Sequence, residues 1–400
     1  MTIPSLTKNP GLLKLELMLK GMRVDESLYQ KHNLLANYRL GPKCFGNLDI
    51  ILPGETYVSV PYQEDFAKES PYKLRYLHGK FFLTGPDESI RVQWVTQPNY
   101  YSQRINEQAS IGDVVSVHGG YVSLAIGGHR YLQQTLFASD GSSTRLELVI
   151  SVDETIAVLE RVRKDRPIDV VSLSCWAPSE SDGGISQIEP YIRAIKNSFN
   201  VLVFIEVHLP KSTALINSTY AIGADSVCYH IGNLCSHGVG AGSKPSHQET
   251  DVALLKHAVE VFPPGSILAH ITVGENPFTD TMEDIARLTQ IKVLPILTVE
   301  TLEMAQKLGF DAQMLAPLFA SLYDSAKRHR VKMNWFSRLA PFVAPIEGRY
   351  FVGDIPRFKL ALMNFYQSRF MGGSISASLS NMRRKLRVRE IKPRKGPGHD

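Results

Sequence analysis

Residues 201–232 read VLVFIEVHLPKSTALINSTYAIGADSVCYHIG, and they decide the fold. The run VLVFIEVHL (201–209) is almost continuously apolar and rich in β-branched residues, the signature of a strand covered on both faces. Residues 211–222 have a helix-like composition, and DSVCYHIG (225–232) is a second apolar run. Strand, helix and strand in this order form a βαβ unit with parallel strands.

The same unit repeats on both sides. DVVSVHG (113–119), DVVSLSCW (169–176), SILAHITVG (266–274) and KVLPILTV (292–299) are further buried-strand candidates. Helix-like stretches at 151–164, 186–198, 248–261, 279–290 and 300–309 separate or follow them. The expected fold class is therefore α/β, a partial TIM-like barrel of βα units, with an open doubly wound sheet as the alternative. No strand is followed by GxGxxG or GxxxxGK[ST], which argues against a dinucleotide or P-loop phosphate site.

Outside this region, residues 11–24 carry Leu12, Leu15, Leu19 and Met22 at helical spacing. Short β-like runs (LDIILPG, TYVSVPY, KFFLTG, IRVQWVT) then alternate with turn residues. The expected domains are an N-terminal α+β region (1–105), the barrel (106–335), a C-terminal helical extension (336–382) and a basic flexible tail (383–400). The tail holds eight Lys/Arg against Glu390 and Asp400, so the body of the chain is close to neutral. Residues 383–395 would suit an anionic surface or an acidic partner. Nothing alternates aromatic and basic residues in the manner of a nucleic-acid platform, so nucleic acid is not an expected partner.

With 44% apolar and 21% charged residues the composition is globular. No window is apolar enough for a transmembrane segment, and MTIPSLTKNP lacks a signal-peptide core. Four irregularly spaced cysteines fit a reducing compartment rather than a disulfide scaffold. The expectation is a soluble, cytoplasmic protein.

Chemistry in parallel barrels gathers at the carboxyl ends of the strands. Those ends carry His118 with Gly119-Gly120, then Cys175-Trp176, Glu206 and His208, Cys228 and His230, Asn233, Cys235, His237, His270, and Gly274-Glu275. Strand alternation puts Glu206 with His208, and Cys228 with His230, on common faces. If those faces point inward, they make a His-rich lumen for a metal, an anionic substrate or acid–base chemistry. Core histidines bonded to backbone carbonyls are the plainer alternative. No CxxC or HExxH motif is present. Gly183-Gly184 reads as a turn, with Asp182 placed to cap the next helix.

Residues 95–335 resemble the radical S-adenosylmethionine superfamily, in particular its biotin-synthase/Elp3-like core. The similarity is carried by ALLKHAVEVFPPGSILAHITVGENPFTDTMEDIARLTQIKVLPILTV (253–299), DGGISQIEPYIRAIKNSFNVLVFIEVHLP (182–210) and AIGADSVCYHIGN (221–233). KLELMLKGMRVDESL (14–28) is similar to the leading helix of one such group. The resemblance implies a barrel and a pocket for S-adenosylmethionine at Cys175, Trp176, Asn233 and Gly274. It departs where the cluster ligands belong: residues 117–141 contain no cysteine, so a [4Fe–4S] cluster bound by CxxxCxxC is not expected.

Three functions follow from this. The first is a degenerate barrel that serves as an accessory, scaffold or regulatory partner of an active enzyme, held to another protein subunit. The second is an enzyme that uses the His/Glu/Cys lumen for metal-assisted or acid–base chemistry, with Glu206, His208, His230 and Glu275 as the catalytic candidates. The third is a radical enzyme with a non-standard cluster. Cys175, Cys228, Cys235 and His118 are the metal-ligating candidates in these alternatives.

Overall fold

A computed structural model describes residues 9–26, 28, 47–53, 56–107, 109–126, 150–175, 181–231, 234, 245–274, 277–299, 309–333 and 343–352. Residues 300–308 of the expected helix 300–309, the C-terminal extension from residue 353 and the basic tail lie outside the described residues.

Helix α1 (Pro10–Lys20) begins with proline at its first position, and Asn9 Oδ1 accepts the Leu12 N–H at 3.0 Å. It is buried along almost its whole length, including Lys14 and Glu16. A six-stranded sheet follows, built from β1 (Arg23–Val24), β2 (Asn47–Leu52), β3 (Thr56–Pro61), β4 (Lys73–Leu77), β5 (Lys80–Thr84) and β6 (Ser89–Trp94). Its order is β1-β4-β5-β6-β2-β3, and only β1 and β4 are parallel. Period-two burial in β2 and β6 gives one buried face, as expected for an antiparallel sheet wet on the other side. The β4–β5 hairpin closes on His78-Gly79, both at positive φ (49° and 76°), which the twist of a two-residue hairpin demands.

The larger sheet has seven strands: β7 (Val115–His118), β8 (Tyr121–Ala125), β9 (Val170–Ser174), β10 (Leu202–His208), β11 (Ser226–His230), β12 (Ile267–Val273) and β13 (Leu294–Val299). Strands lie side by side in strict chain order from β7 to β13. All pairs from β8 onward are parallel. The strands follow one another in one direction, without the reversal of order that marks a doubly wound sheet. The protein is thus a mixed α/β fold. Between the strands lie α4 (Val152–Asp165), α5 (Ile185–Ser198), α6 (Thr213–Ile222), α7 (Pro245–Val261) and α8 (Phe278–Gln290), after the short α2 (Asp65–Lys68) and α3 (Ile111–Val114). Helix α9 (Ala312–Arg328) and a 3-10 turn at Pro345–Phe351 complete the described chain.

One expectation needs correction. The run 113–119 is not the first parallel strand: β7 runs antiparallel to β8, in a hairpin that turns on Gly119-Gly120. Gly119 has φ +63°, the left-handed conformation such a turn needs at its first central residue. The first parallel strand is Tyr121–Ala125. The strand ends therefore swap, and His118 lies at the amino edge of the parallel strands, away from the site.

Candidate functional site

Alternation divides the parallel strands into two faces. Val171, Leu173, Val203, Ile205, Val207, Val227, Tyr229, Ala269 and Ile271 are buried, and on this side α5, α7 and α8 pack on the sheet. The opposite face presents Ser172, Ser174, Phe204, Glu206, His208, Ser226, Cys228, His230, Leu268 and His270. A buried sheet face so rich in polar groups is unusual for a core, and its polar groups concentrate toward the carboxyl ends.

Register makes the arrangement specific. His208 pairs with His230, and His230 with His270, so one row of three imidazoles crosses β10, β11 and β12. Their ring centroids are 5.4 Å and 4.8 Å apart, close to the spacing of neighbouring strands. His270 Nε2 is hydrogen-bonded to Thr298 Oγ1 of β13, which extends the row across a fourth strand. One step deeper, Glu206 lies between Ser174 and Cys228 in register. Tyr121 of β8 comes close enough for the Glu206 charge to act on its hydroxyl.

The electrostatics follow from burial. Glu206 is 7% exposed, and its carboxyl has no hydrogen-bond partner among the described residues. Desolvation pushes it up to about 8, so it is mostly protonated at neutral pH. Burial holds His270 down at about 4 and lowers His208. His230 is held well below the usual histidine range by burial, then by its neighbours His270 and His208. Burial also raises the thiol of Cys228, and the Glu206 carboxyl adds to this. At neutral pH the whole face is close to uncharged, with one proton available on a carboxylic acid and acceptor nitrogens two residues along.

Local structure holds the row in place. The Gly183 N–Cα–C unit packs on the backbone at His208, whose N–H donates to Gly183 O at 3.1 Å. Asp182 caps α5, accepting the Gly184 N–H (2.9 Å) and the Ser186 N–H (2.8 Å). Beyond β11, the Leu234 backbone is gripped by α8: Asp284 accepts its N–H and Arg287 donates to its carbonyl.

Several expected site residues are not brought to this row. His118 sits against the small sheet, bonded to the Tyr57 hydroxyl at 2.7 Å and 3.8 Å from Asp49 Oδ2. Cys175 points to the helix side, where Sγ donates to Gln187 Oε1 at 3.4 Å. Its thiol therefore leaves the sheet on the face opposite Cys228, and the two cannot share one cluster. Gly274 ends β12 at φ +110°. Trp176, Asn233, Cys235 and Glu275 lie outside the described residues. Among the described residues no three His, Cys, Asp or Glu side chains are placed to hold a metal ion. Thr298 and Tyr121 complete the site but were not among the expected site residues, and His270 was expected at its strand end without a role of its own. The common phase of His208, His230 and His270 within their strands was the available signal.

No family model matches the chain, and no curated protein does. Among solved structures, it is similar to a dihydropteroate synthase from Coxiella burnetii in complex with pteroic acid, at 11% identity over 63% of this chain and 97% of that one, with a TM-score of 0.28. A Xanthomonas albilineans dihydropteroate synthase in complex with indole-2-carboxylic acid and 6-chloroguanine gives 10% identity, 62% and 92% coverage and a TM-score of 0.28. Likeness at this level assigns the chain to no family. The radical S-adenosylmethionine resemblance is corrected: the solved structures named here are dihydropteroate synthases, and none of the comparisons supports the radical-enzyme family. Among the described residues no helix is long and apolar enough to cross a membrane.

Proposed function

We propose that this chain is a proton-transfer enzyme built on an incomplete, singly wound TIM-like barrel. The observation that carries this reading is the unpaired, buried carboxyl of Glu206 beneath the in-register row His208, His230 and His270. A carboxylic acid with a pKa near 8 is a competent general acid at neutral pH. Neutral imidazoles beside it are competent bases, and His208, half-buried at the strand end, stands nearest to incoming substrate. Glu206 gives a proton to the substrate, His208 or His230 removes one, and Thr298 orients His270 at the end of the row.

Acid–base chemistry is favoured over metal-assisted chemistry because the histidines form a line across the strands and do not converge on a point. A scaffold or accessory subunit, the other class of function, has no use for an unpaired buried acid, which destabilises the fold. The free, buried Cys175 and Cys228 suit a reducing compartment, and we place the protein in the cytoplasm.

The test is solvent-deuterium incorporation into a panel of small carbon acids. Incorporation by the wild-type chain that falls at least tenfold in both Glu206→Gln and His230→Gln supports the reading. Incorporation that neither substitution changes overturns it.

A further inference from the structure

Among the described residues the site offers acceptors and almost nothing to meet a negative charge. Besides Glu206, the inner face carries hydroxyls of Ser172, Ser174 and Ser226, neutral imidazoles and a thiol, with no Lys or Arg among the described residues. The titratable groups that face Glu206 are Tyr121 of β8, Cys228 of β11 and, one step toward the strand ends, His208 and His230. None of these carries a positive charge at neutral pH. A carboxyl more than nine-tenths buried, with no hydrogen-bond partner among the described residues, is matched by a ligand that brings the missing donor and the missing charge.

We infer that the substrate is a compact nitrogen cation, an amine or amidine, whose N–H groups bond the Glu206 carboxylate below the histidine row. This rests on the proton-transfer reading of the same site and adds the substrate class to it. Anionic substrates such as phosphate or carboxylate esters are disfavoured by the same lining. The substrate enters as its free base and takes the Glu206 proton, the transfer the proton-transfer reading assigns to this carboxyl, so that the cation forms in the site and its N–H groups bond the carboxylate. No bond other than that O–H is broken.

The probe is methylguanidinium chloride, with neutral methylurea as its isosteric control, titrated calorimetrically into the full chain at about pH 6, 7 and 8. Methylguanidinium affinity should rise about tenfold per pH unit toward the Glu206 pKa of about 8, because each unit ionises about ten times more of the carboxyl. Glu206→Gln should lower that affinity at least tenfold, and methylurea should show no such pH dependence. Affinity that is absent, independent of pH, or unchanged in Glu206→Gln overturns the inference. The wild-type chain supplies a second readout that needs no variant: saturating methylguanidinium should abolish the infrared band of the protonated carboxyl at pH 7. A band that titrates near pH 8 yet ignores the cation overturns the substrate class while the proton-transfer reading stands. A carboxyl already ionised at about pH 6 overturns both.

Discussion

His230 and His270 lie directly opposite each other on adjacent parallel strands, their ring centroids 4.8 Å apart and both imidazoles held uncharged by burial. A protonated imidazole at either position would sit against a second imidazole in a buried face. This makes the row sensitive to acid in a definite direction.

His270 has a folded pKa of about 4 against about 6.5 in the unfolded chain. Between these values the unfolded state binds more protons, so stability falls as pH drops from about 6.5 toward 4. In a Glu206→Gln background, which removes the opposing carboxyl, urea denaturation at about pH 7 and pH 5 should show a loss of stability at the lower pH, and His270→Gln is added to that background. His270→Gln should be less stable at pH 7, since it alters the Thr298 bond, but flatter with pH. A parallel pH dependence in the two proteins would remove His270 as the source.

Glu206 behaves in the opposite sense. Its folded pKa of about 8 lies above the unfolded carboxylate value, so between about 4.5 and 8 the folded state binds more protons. Stability is therefore lost as pH rises, with an upper slope of about 1.4 kcal/mol per pH unit. Glu206→Gln removes this dependence, and the variant should be more stable than wild type by a margin that widens from about pH 5 to pH 8. A margin that narrows would mean the carboxyl is ionised in the fold.

Much of this architecture was legible in the sequence because the parallel strands are continuous apolar runs. The expected 201–209, 225–232 and 266–274 became Leu202–His208, Ser226–His230 and Ile267–Val273. The Tyr121–Ala125 strand was missed because it is short and carries serine on its inner face, and because Gly119-Gly120 was read as a strand end and not as a hairpin. The pairing of Glu206 with His208 on one face followed from alternation alone. The row of histidines did not, since it depends on the register between strands 22 and 40 residues apart, which local pattern does not specify. Thr298 was invisible for the same reason.

Gly183 supports the site through its backbone. It has φ +69°, and a Cβ there would stand 2.1 Å from His208 O. Gly183→Ala must both strain the turn and push the end of β10. A loss of about 1–3 kcal/mol is expected from the backbone conformation alone, and the His208 imidazole NMR signals should shift. Gly79→Ala also stands at positive φ (76°) but meets nothing within 4 Å, so it should cost less and leave the His208 signals in place. Equal effects at the two positions would show that the contact with His208 is immaterial.

The ends of the described chain are tied by one buried ion pair. Lys14 Nζ of α1 donates to Glu347 Oε2 at 2.8 Å, and the two side chains are 1% and 8% exposed. The same oxygen accepts the Ala344 N–H at 2.7 Å, so Glu347 also holds the start of the 3-10 turn. Near it, Asn9 donates to the Tyr350 carbonyl, and Gly11 packs against Tyr350. Lys14→Met leaves a buried carboxylate with no counter-charge, and a loss of about 3–5 kcal/mol is expected. Adding Glu347→Gln keeps an acceptor for Ala344 and removes the charge, so the double variant should recover most of that loss in chemical denaturation. If Lys14→Met alone costs less than about 1 kcal/mol, the typical worth of an exposed pair, the clasp between α1 and the Pro345–Phe351 turn is apolar packing and not the ion pair.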